Sequence, residues 1–137
     1  MNAVELELTD SISLHARAAL PGHLKSLCDG GIQFAMIELG TGIGNAGYLA
    51  AAAGARVKIE RNVVKGFVRC TRNAAALREI VQAAKTRNLP VTAEGVENAH
   101  QLAELRALGC DEGQGFLFSE AVPFDVARRL VGQTFAI

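Results

Sequence analysis

The stretch from Pro90 to Gly109, PVTAEGVENAHQLAELRALG, holds a strand, a turn and a helix in succession and decides the fold. Pro90 opens an extended run to Glu94, a position where a missing backbone N–H costs little. Asn98 is a residue type that caps helices, because its side-chain oxygen accepts an N–H from the first turn. Leu102, Leu105 and Leu108 then fall on one face, and Gly109 suits a left-handed helix end.

The same unit repeats on either side. Residues 3–9 (AVELELT) alternate apolar and acidic, as a half-buried strand does. A helix follows from about Leu14 to Leu27, with Pro21 either kinking it or opening its main part, and Asp29-Gly30-Gly31 closes it. Residues 32–39 (IQFAMIEL) are apolar enough for a strand buried on both faces. A glycine-rich segment, 40–47, leads to a short alanine-rich helix ending near Ala53, and 57–60 (VKIE) is the next strand. Asn73 is placed to cap a helix running to about Arg87, with Leu77, Ile80, Val81 and Ala84 as its apolar stripe. A short strand near Gln114–Leu117 and a helix from Pro123 to about Val131 finish the chain. About five strands alternating with helices specify an α/β fold, a parallel sheet built from right-handed crossovers. Residues 1–137 are expected to form a single domain.

Composition removes several classes of function. Half of the 137 residues are hydrophobic and fourteen basic residues balance fourteen acidic ones, without a block of like charge. A disordered tail, a binder of nucleic-acid polymers and a membrane-surface patch are all disfavoured. No long apolar run free of charge is present, and the acidic N-terminus is unlike a signal peptide, so a cytoplasmic location is expected. Cys28, Cys70 and Cys110 lie far apart, as do His15, His23 and His100. No CxxC or Cys/His ligand spacing occurs, which argues against a zinc site or a disulfide framework.

In α/β folds, chemistry gathers where strands end and loops to helices begin. Those positions hold Glu7 and Asp10, Glu38, Lys58 and Glu60, Glu94 and Glu97, and Gln114. Charge at a strand end also serves solvation, but carboxylates and a lysine on one rim suit a hard cation such as Mg²⁺ bridging to phosphate. A lysine there can stabilise developing negative charge. Gly42-Ile43-Gly44-Asn45-Ala46-Gly47 is also a literal GxGxxG between a strand and a helix, with Glu60 eighteen residues after Gly42. By itself it reads either as a dinucleotide loop or as a tight turn.

Five ordered motifs settle the choice: Leu6-Glu7-Leu8-Thr9-Asp10-Ser11, Ile37-Glu38-Leu39-Gly40-Thr41-Gly42, Val57-Lys58-Ile59-Glu60, Ala93-Glu94-Gly95-Val96-Glu97-Asn98 and Gly113-Gln114-Gly115-Phe116. Their succession resembles the C-terminal half of EAL domains, the cyclic di-GMP phosphodiesterases, whose signatures are ELTE, DDFGTG, KID, AEGVE and QGY. The resemblance covers nearly the whole chain and makes the GxGxxG match a coincidence. It implies a modified TIM-like barrel, of which this chain is a part, and a rim where Mg²⁺ (or Mn²⁺) activates a water for attack on a phosphodiester. By that resemblance Glu7 would be a metal ligand, Asp10 would steady the neighbouring loop, and Glu38 would take the second aspartate of the DD pair. Lys58 would contact the attacking water or phosphate, Glu94 would serve the metal site, and Gln114 would line the substrate pocket.

The departures from that pattern are as informative. The first aspartate of DDFGTG is Ile37, the second is lengthened to Glu38, and KID has become KIE. The family's Glu-Ala-Leu segment and its metal-binding asparagine belong to an N-terminal half outside these 137 residues. A metal site needs its ligands placed to a fraction of an ångström, and Ile37 offers no donor. The expectation is therefore a degenerate, non-catalytic half-domain that binds partners and retains weak affinity for cyclic di-GMP. The competing expectation is a metal-dependent phosphodiesterase active only when assembled. Five strands cannot close a barrel, so unpaired strand edges and an apolar interior open to water should drive pairing with a second copy or a partner chain.

Overall fold

Strand alternation sets the architecture. The computed structural model describes residues 5–8, 14–38, 55–67 and 71–133, with the main chain alone at 14–21, 38, 71 and 72. In chain order the elements are β1 (Glu5–Leu8), α1 (Leu14–Asp29), β2 (Gln33–Glu38), β3 (Arg56–Ile59), α2 (Arg61–Phe67), α3 (Thr71–Thr86), β4 (Val91–Glu94), α4 (Ala99–Leu108), β5 (Glu112–Gln114) and α5 (Phe124–Leu130). The strands form one sheet in the order β1-β2-β3-β4-β5, every neighbouring pair parallel. This is the expected α/β partial barrel, with β1 and β5 at its edges. The helix expected near Ala53, the GxGxxG segment, Asp10 and Cys70 lie outside what is described, as does the side chain of His15.

One face of the sheet carries Phe34, Met36, Val57, Ile59, Val91 and Ala93, all buried in the core with helical side chains. From α3 the full expected stripe of Leu77, Ile80, Val81 and Ala84 is buried. Leu102 and Leu105 of α4 join it, with Leu108 packed at its margin. Asn98 caps α4 as expected, its Oδ1 accepting the Gln101 N–H at 2.9 Å, and Gly109 ends the helix at φ +99°.

The opposite face corrects one expectation. It is not apolar: Glu5 and Glu7 of β1, Arg56 and Lys58 of β3, Thr92 and Glu94 of β4 and Glu112 of β5 meet there through ion pairs and hydrogen bonds. The cause is the two-residue period of β1 and β3, which sends every charged side chain of ELEL and RVKI to one side.

Two boundaries also differ. A helix unforeseen in the sequence, α2, occupies Arg61–Phe67, and α3 begins at Thr71, so Asn73 lies inside it rather than capping it. The last strand is Glu112–Gln114 instead of Gln114–Leu117, because the chain turns immediately after it, Phe118 N–H donating to the Gly115 carbonyl.

Candidate functional site

Lys58 is the centre of the polar face. Its neighbours Val57 and Ile59 are anchored in the core, so its own side chain is forced to the other side, where it is only 7% exposed. Its ammonium donates to Glu7 Oε1 from β1 and lies 2.6 Å from Glu94 Oε1 of β4. Burial by itself would make the ammonium easier to deprotonate. The hydrogen bonds to Glu7 and Glu94, and the attraction of their charges, outweigh this and raise its pKa above the ordinary lysine value.

One turn of the pleat below, Arg56 repeats the arrangement. Its Nε lies 2.8 Å from Glu5, although the N–H is not aimed at that oxygen. Its Nη1 pairs with Glu112 of β5, and Thr92 Oγ1 donates to the same carboxylate at 3.0 Å. Arg56 thereby ties both edge strands to the central one.

At the strand ends, Glu94, Gln114, Arg61, Glu97 and Phe116, with Gly95 and Gly115, line a cleft of about 200 Å³. The Arg61 guanidinium lies 5.5 Å from the centre of the Phe116 ring, a cation–π pair. Arg61 also binds Glu97 at 2.8 Å, and Lys65 reaches the same oxygen at 3.3 Å. The Arg61 bond first, then Lys65, holds the Glu97 carboxyl below the usual range.

The structure therefore brings together Glu7, Lys58 and Glu94, and puts Gln114 beside Glu94 in register on β5. Ile37 stands in register with Lys58. Glu38 takes the alternate position, in register with the core residue Ile59. Sequence reasoning missed Arg56, Arg61, Glu5 and Glu112. Three of these are exactly two residues before a residue it did select, so the strand period was the available signal.

Mg²⁺ and Mn²⁺ need a set of oxygen donors in a near-octahedral arrangement. Glu7 and Glu94 are the carboxylates in place, both are bonded to the Lys58 ammonium, and Ile37 stands beside them. Among the described residues no three Asp, Glu, His or Cys side chains gather as a metal-holding group. That donor set does not fit such a cation. Among the described residues, no helix is long and apolar enough to cross a membrane.

Comparison with known proteins agrees with the geometry. An uncharacterised protein of Azorhizobium caulinodans is 36% identical over 124 residues, a match covering 90% of this chain and 17% of that protein. The bifunctional diguanylate cyclase/cyclic di-GMP phosphodiesterase MucR of Pseudomonas aeruginosa is 32% identical over 118 residues, covering 86% of this chain and 17% of MucR. Among solved structures, the PaMucR phosphodiesterase in complex with c-di-GMP superposes with a TM-score of 0.82 at 30% identity, over 92% of this chain and 51% of that one. The chain thus spans 17% of the length of these two relatives and about half of the solved phosphodiesterase. Residues 2–121 match the EAL domain, and the chain belongs to that family.

Proposed function

We propose that this chain is a non-catalytic EAL-like half-domain of the cytoplasm, a single unit over residues 1–137 that acts as a binding and interaction module with weak affinity for cyclic di-GMP. The observation that carries the reading is Lys58, locked between Glu7 and Glu94 with Ile37 alongside. Hydrolysis of a phosphodiester near neutral pH calls for an activated water, which in a metal site the cation supplies. Lys58 is held protonated, so it is no base, and both carboxylates are already committed to it.

Binding has separate support. The cleft between Arg61, Phe116 and Gln114 offers a flat guanidinium, an aromatic ring that is 59% exposed and an amide. These are groups suited to stack on a guanine base and bond to its edge. At about 200 Å³ it is smaller than the ~300–1,000 Å³ of a usual ligand pocket, which accounts for weak affinity. A calorimetric titration of the chain with cyclic di-GMP, with Mg²⁺ present, should give saturable micromolar binding that Phe116→Ala weakens. No heat at high micromolar ligand sinks the nucleotide part of the reading, and turnover of the ligand sinks the non-catalytic part.

A second reading is favoured by the same Glu7–Lys58–Glu94 set lying within a chain that superposes on half of a phosphodiesterase. On it, a second copy or a partner chain completes the barrel and a metal-dependent phosphodiesterase results. Ile37→Asp combined with Glu38→Asp separates the two. Metal-dependent cleavage by this variant, where the parent has none, means a competent scaffold lacking its ligands.

A further inference from the structure

Strands β3 and β4 are neighbours in the sheet, and the helices that follow them, α2 and α4, border a cleft of about 410 Å³. That is the size of an ordinary small-molecule pocket, ~300–1,000 Å³, and larger than the cleft at Arg61 and Phe116. Its lining is polar: Asn62 and Lys65 of α2, then Glu97, Asn98, His100 and Gln101 at the start of α4.

Gln101 is the telling member, because it is only 7% exposed. Its Oε1 accepts the Glu97 N–H at 2.7 Å, which fixes the other end of the amide as the donor Nε2. Nε2 has no acceptor among the described residues, and it is not among the side-chain atoms cut off from both solvent and partners. An otherwise buried donor therefore opens onto the cleft, where an acceptor would satisfy it.

The surroundings set the charge of that acceptor. Arg61 and Lys65 share the Glu97 carboxylate, so the three groups carry one positive charge in excess. Arg61 holds the oxygen at 2.8 Å and Lys65 at 3.3 Å; Lys65, 53% exposed, is the one free to turn to a ligand. At the N-terminus of α4, Asn98 Oδ1 accepts the Gln101 N–H and the Asn98 carbonyl accepts the Leu102 N–H. The N–H groups of Ala99 and His100 have no acceptor among the described residues, and the helix dipole behind them favours an anion.

From this we infer that the cleft between α2 and α4 binds a phosphate monoester, with Lys65, Gln101 Nε2 and the N-terminus of α4 as its donors. A monoester carries about −1.5 to −2 charge at pH 7 and three acceptor oxygens, enough for donors arriving from two helices. A diester, with one charge and two free oxygens, satisfies them less well. The site does not depend on the guanine-stacking reading above, although Glu97 lines both clefts. The phosphate could thus belong to a nucleotide whose base lies at Phe116, or to a ligand confined to this cleft.

The test is a heteronuclear NMR titration of the full chain at pH 7 with inorganic phosphate, guanosine 5′-monophosphate and guanosine. Phosphate should shift the Gln101 side-chain amide and the His100 backbone N–H with saturation at millimolar concentration. Lys65→Gln should weaken this binding roughly tenfold, the worth of one charge-assisted hydrogen bond. Gln101→Glu keeps an oxygen for the Glu97 N–H but replaces the donor by a charge, and should abolish the His100 response. Should that variant fail to fold by circular dichroism, Lys65→Gln, at an exposed position, decides alone. The monophosphate separates the sources. Shifts at both Phe116 and Gln101, with affinity about tenfold above that of phosphate, support the site with a nucleotide as its ligand. Shifts at Gln101 alone, with guanosine leaving Phe116 unmoved, support the site and sink the guanine reading. No shift at Gln101 or His100 with phosphate or the monophosphate at tens of millimolar overturns the inference, even if Phe116 responds. Shifts that Lys65→Gln leaves unchanged, or that chloride reproduces at equal ionic strength, overturn it as well.

Discussion

Replacing Lys58 by methionine removes the charge while keeping a side chain of similar length, which makes it the sharpest perturbation of the polar face. Breaking a buried ion pair by deleting one partner costs ~3–5 kcal/mol, because the remaining charge is left without a counter-ion. Lys58 is 7% exposed, but Glu7 is 46% exposed and Glu94 23%, so both carboxylates regain some water. The expected loss is therefore about 2–3 kcal/mol, below that range. Against a total stability of about 5–15 kcal/mol this is a large fraction. With m about 1–3 kcal/mol/M in urea, the unfolding midpoint should fall by roughly 1 M or more. The effect is complete at pH 7. The folded pKa of Lys58 is raised above 10.5, so its contribution is fully present below that value and fades only as pH rises through the higher folded value. Glu7→Gln together with Glu94→Gln in the Lys58→Met background should recover most of the loss, since no unpaired charge remains. A midpoint unchanged within ~0.2 M, or penalties that simply add in the combined variant, refutes the account of Lys58 as the shared counter-ion.

Three further outcomes follow from local chemistry. Burial first, with the Asp111 charge beside it, pushes the Cys110 thiol up from 9.0 to about 11, against a smaller opposing effect of Lys85. Iodoacetamide should consequently alkylate it at pH 8 roughly a hundredfold more slowly than the same thiol in urea, followed by mass spectrometry. Gly115 has φ +157°, and an added Cβ would sit 2.3 Å from the Val96 carbonyl oxygen, whereas nothing lies within 4 Å of one at Gly22 in α1. Gly115→Ala should cost about 3 kcal/mol and Gly22→Ala should gain about 0.5–1 kcal/mol, both read as urea midpoints. Burial tends to raise the Asp111 carboxyl, but the Lys85 bond and the Val91 N–H lower it on balance below 3.8. Its contribution is present above the unfolded value and lost as pH falls through the folded one, so Asp111→Asn should flatten the stability profile below about pH 4, measured as urea midpoints.

Periodic segments were legible and short, crowded ones were not. The Asn98 cap, the Gly109 end and the α3 stripe follow from side chains whose conformational preferences agree with their packing. α2 was hidden because RNVVKGF places two β-branched residues together and a glycine near its end, both poor for an isolated helix. Burial of Val63, Val64 and Phe67 holds it, and the Glu60 carbonyl accepts the first N–H groups from Val63 and Val64. Asn73 was misread because it resembles a cap, yet its amide packs against α2, only 2.0 Å from where a Cβ on Gly66 would be. The β5 boundary failed for a similar reason. GQGFLF reads as strand, but the Val96 backbone fills the space over Gly115 and the chain must turn. In the site, Glu7, Lys58, Glu94 and Gln114 were found from motifs. Arg56, Glu5 and Glu112 form the tier beneath them and carry no motif of their own.

The composition of the inner face changes what a partial barrel must do. The interior of a closed TIM barrel is a packed core, and an open piece lined by aliphatic side chains would be driven to cover it. Here Arg56 binds carboxylates from both edge strands, while Lys58 joins β1 to β4, so the central strand satisfies the charges of its neighbours. The sheet is stitched from within by the charged residues of that face. These pairs do two things together. They occupy the carboxylates that a metal would need, and they remove the apolar surface that would otherwise draw a partner onto that face. Among the described residues the exposed apolar side chains lie at the margins instead, Leu6 on β1 and Phe124 on α5. Both effects follow from the same two basic residues on β3.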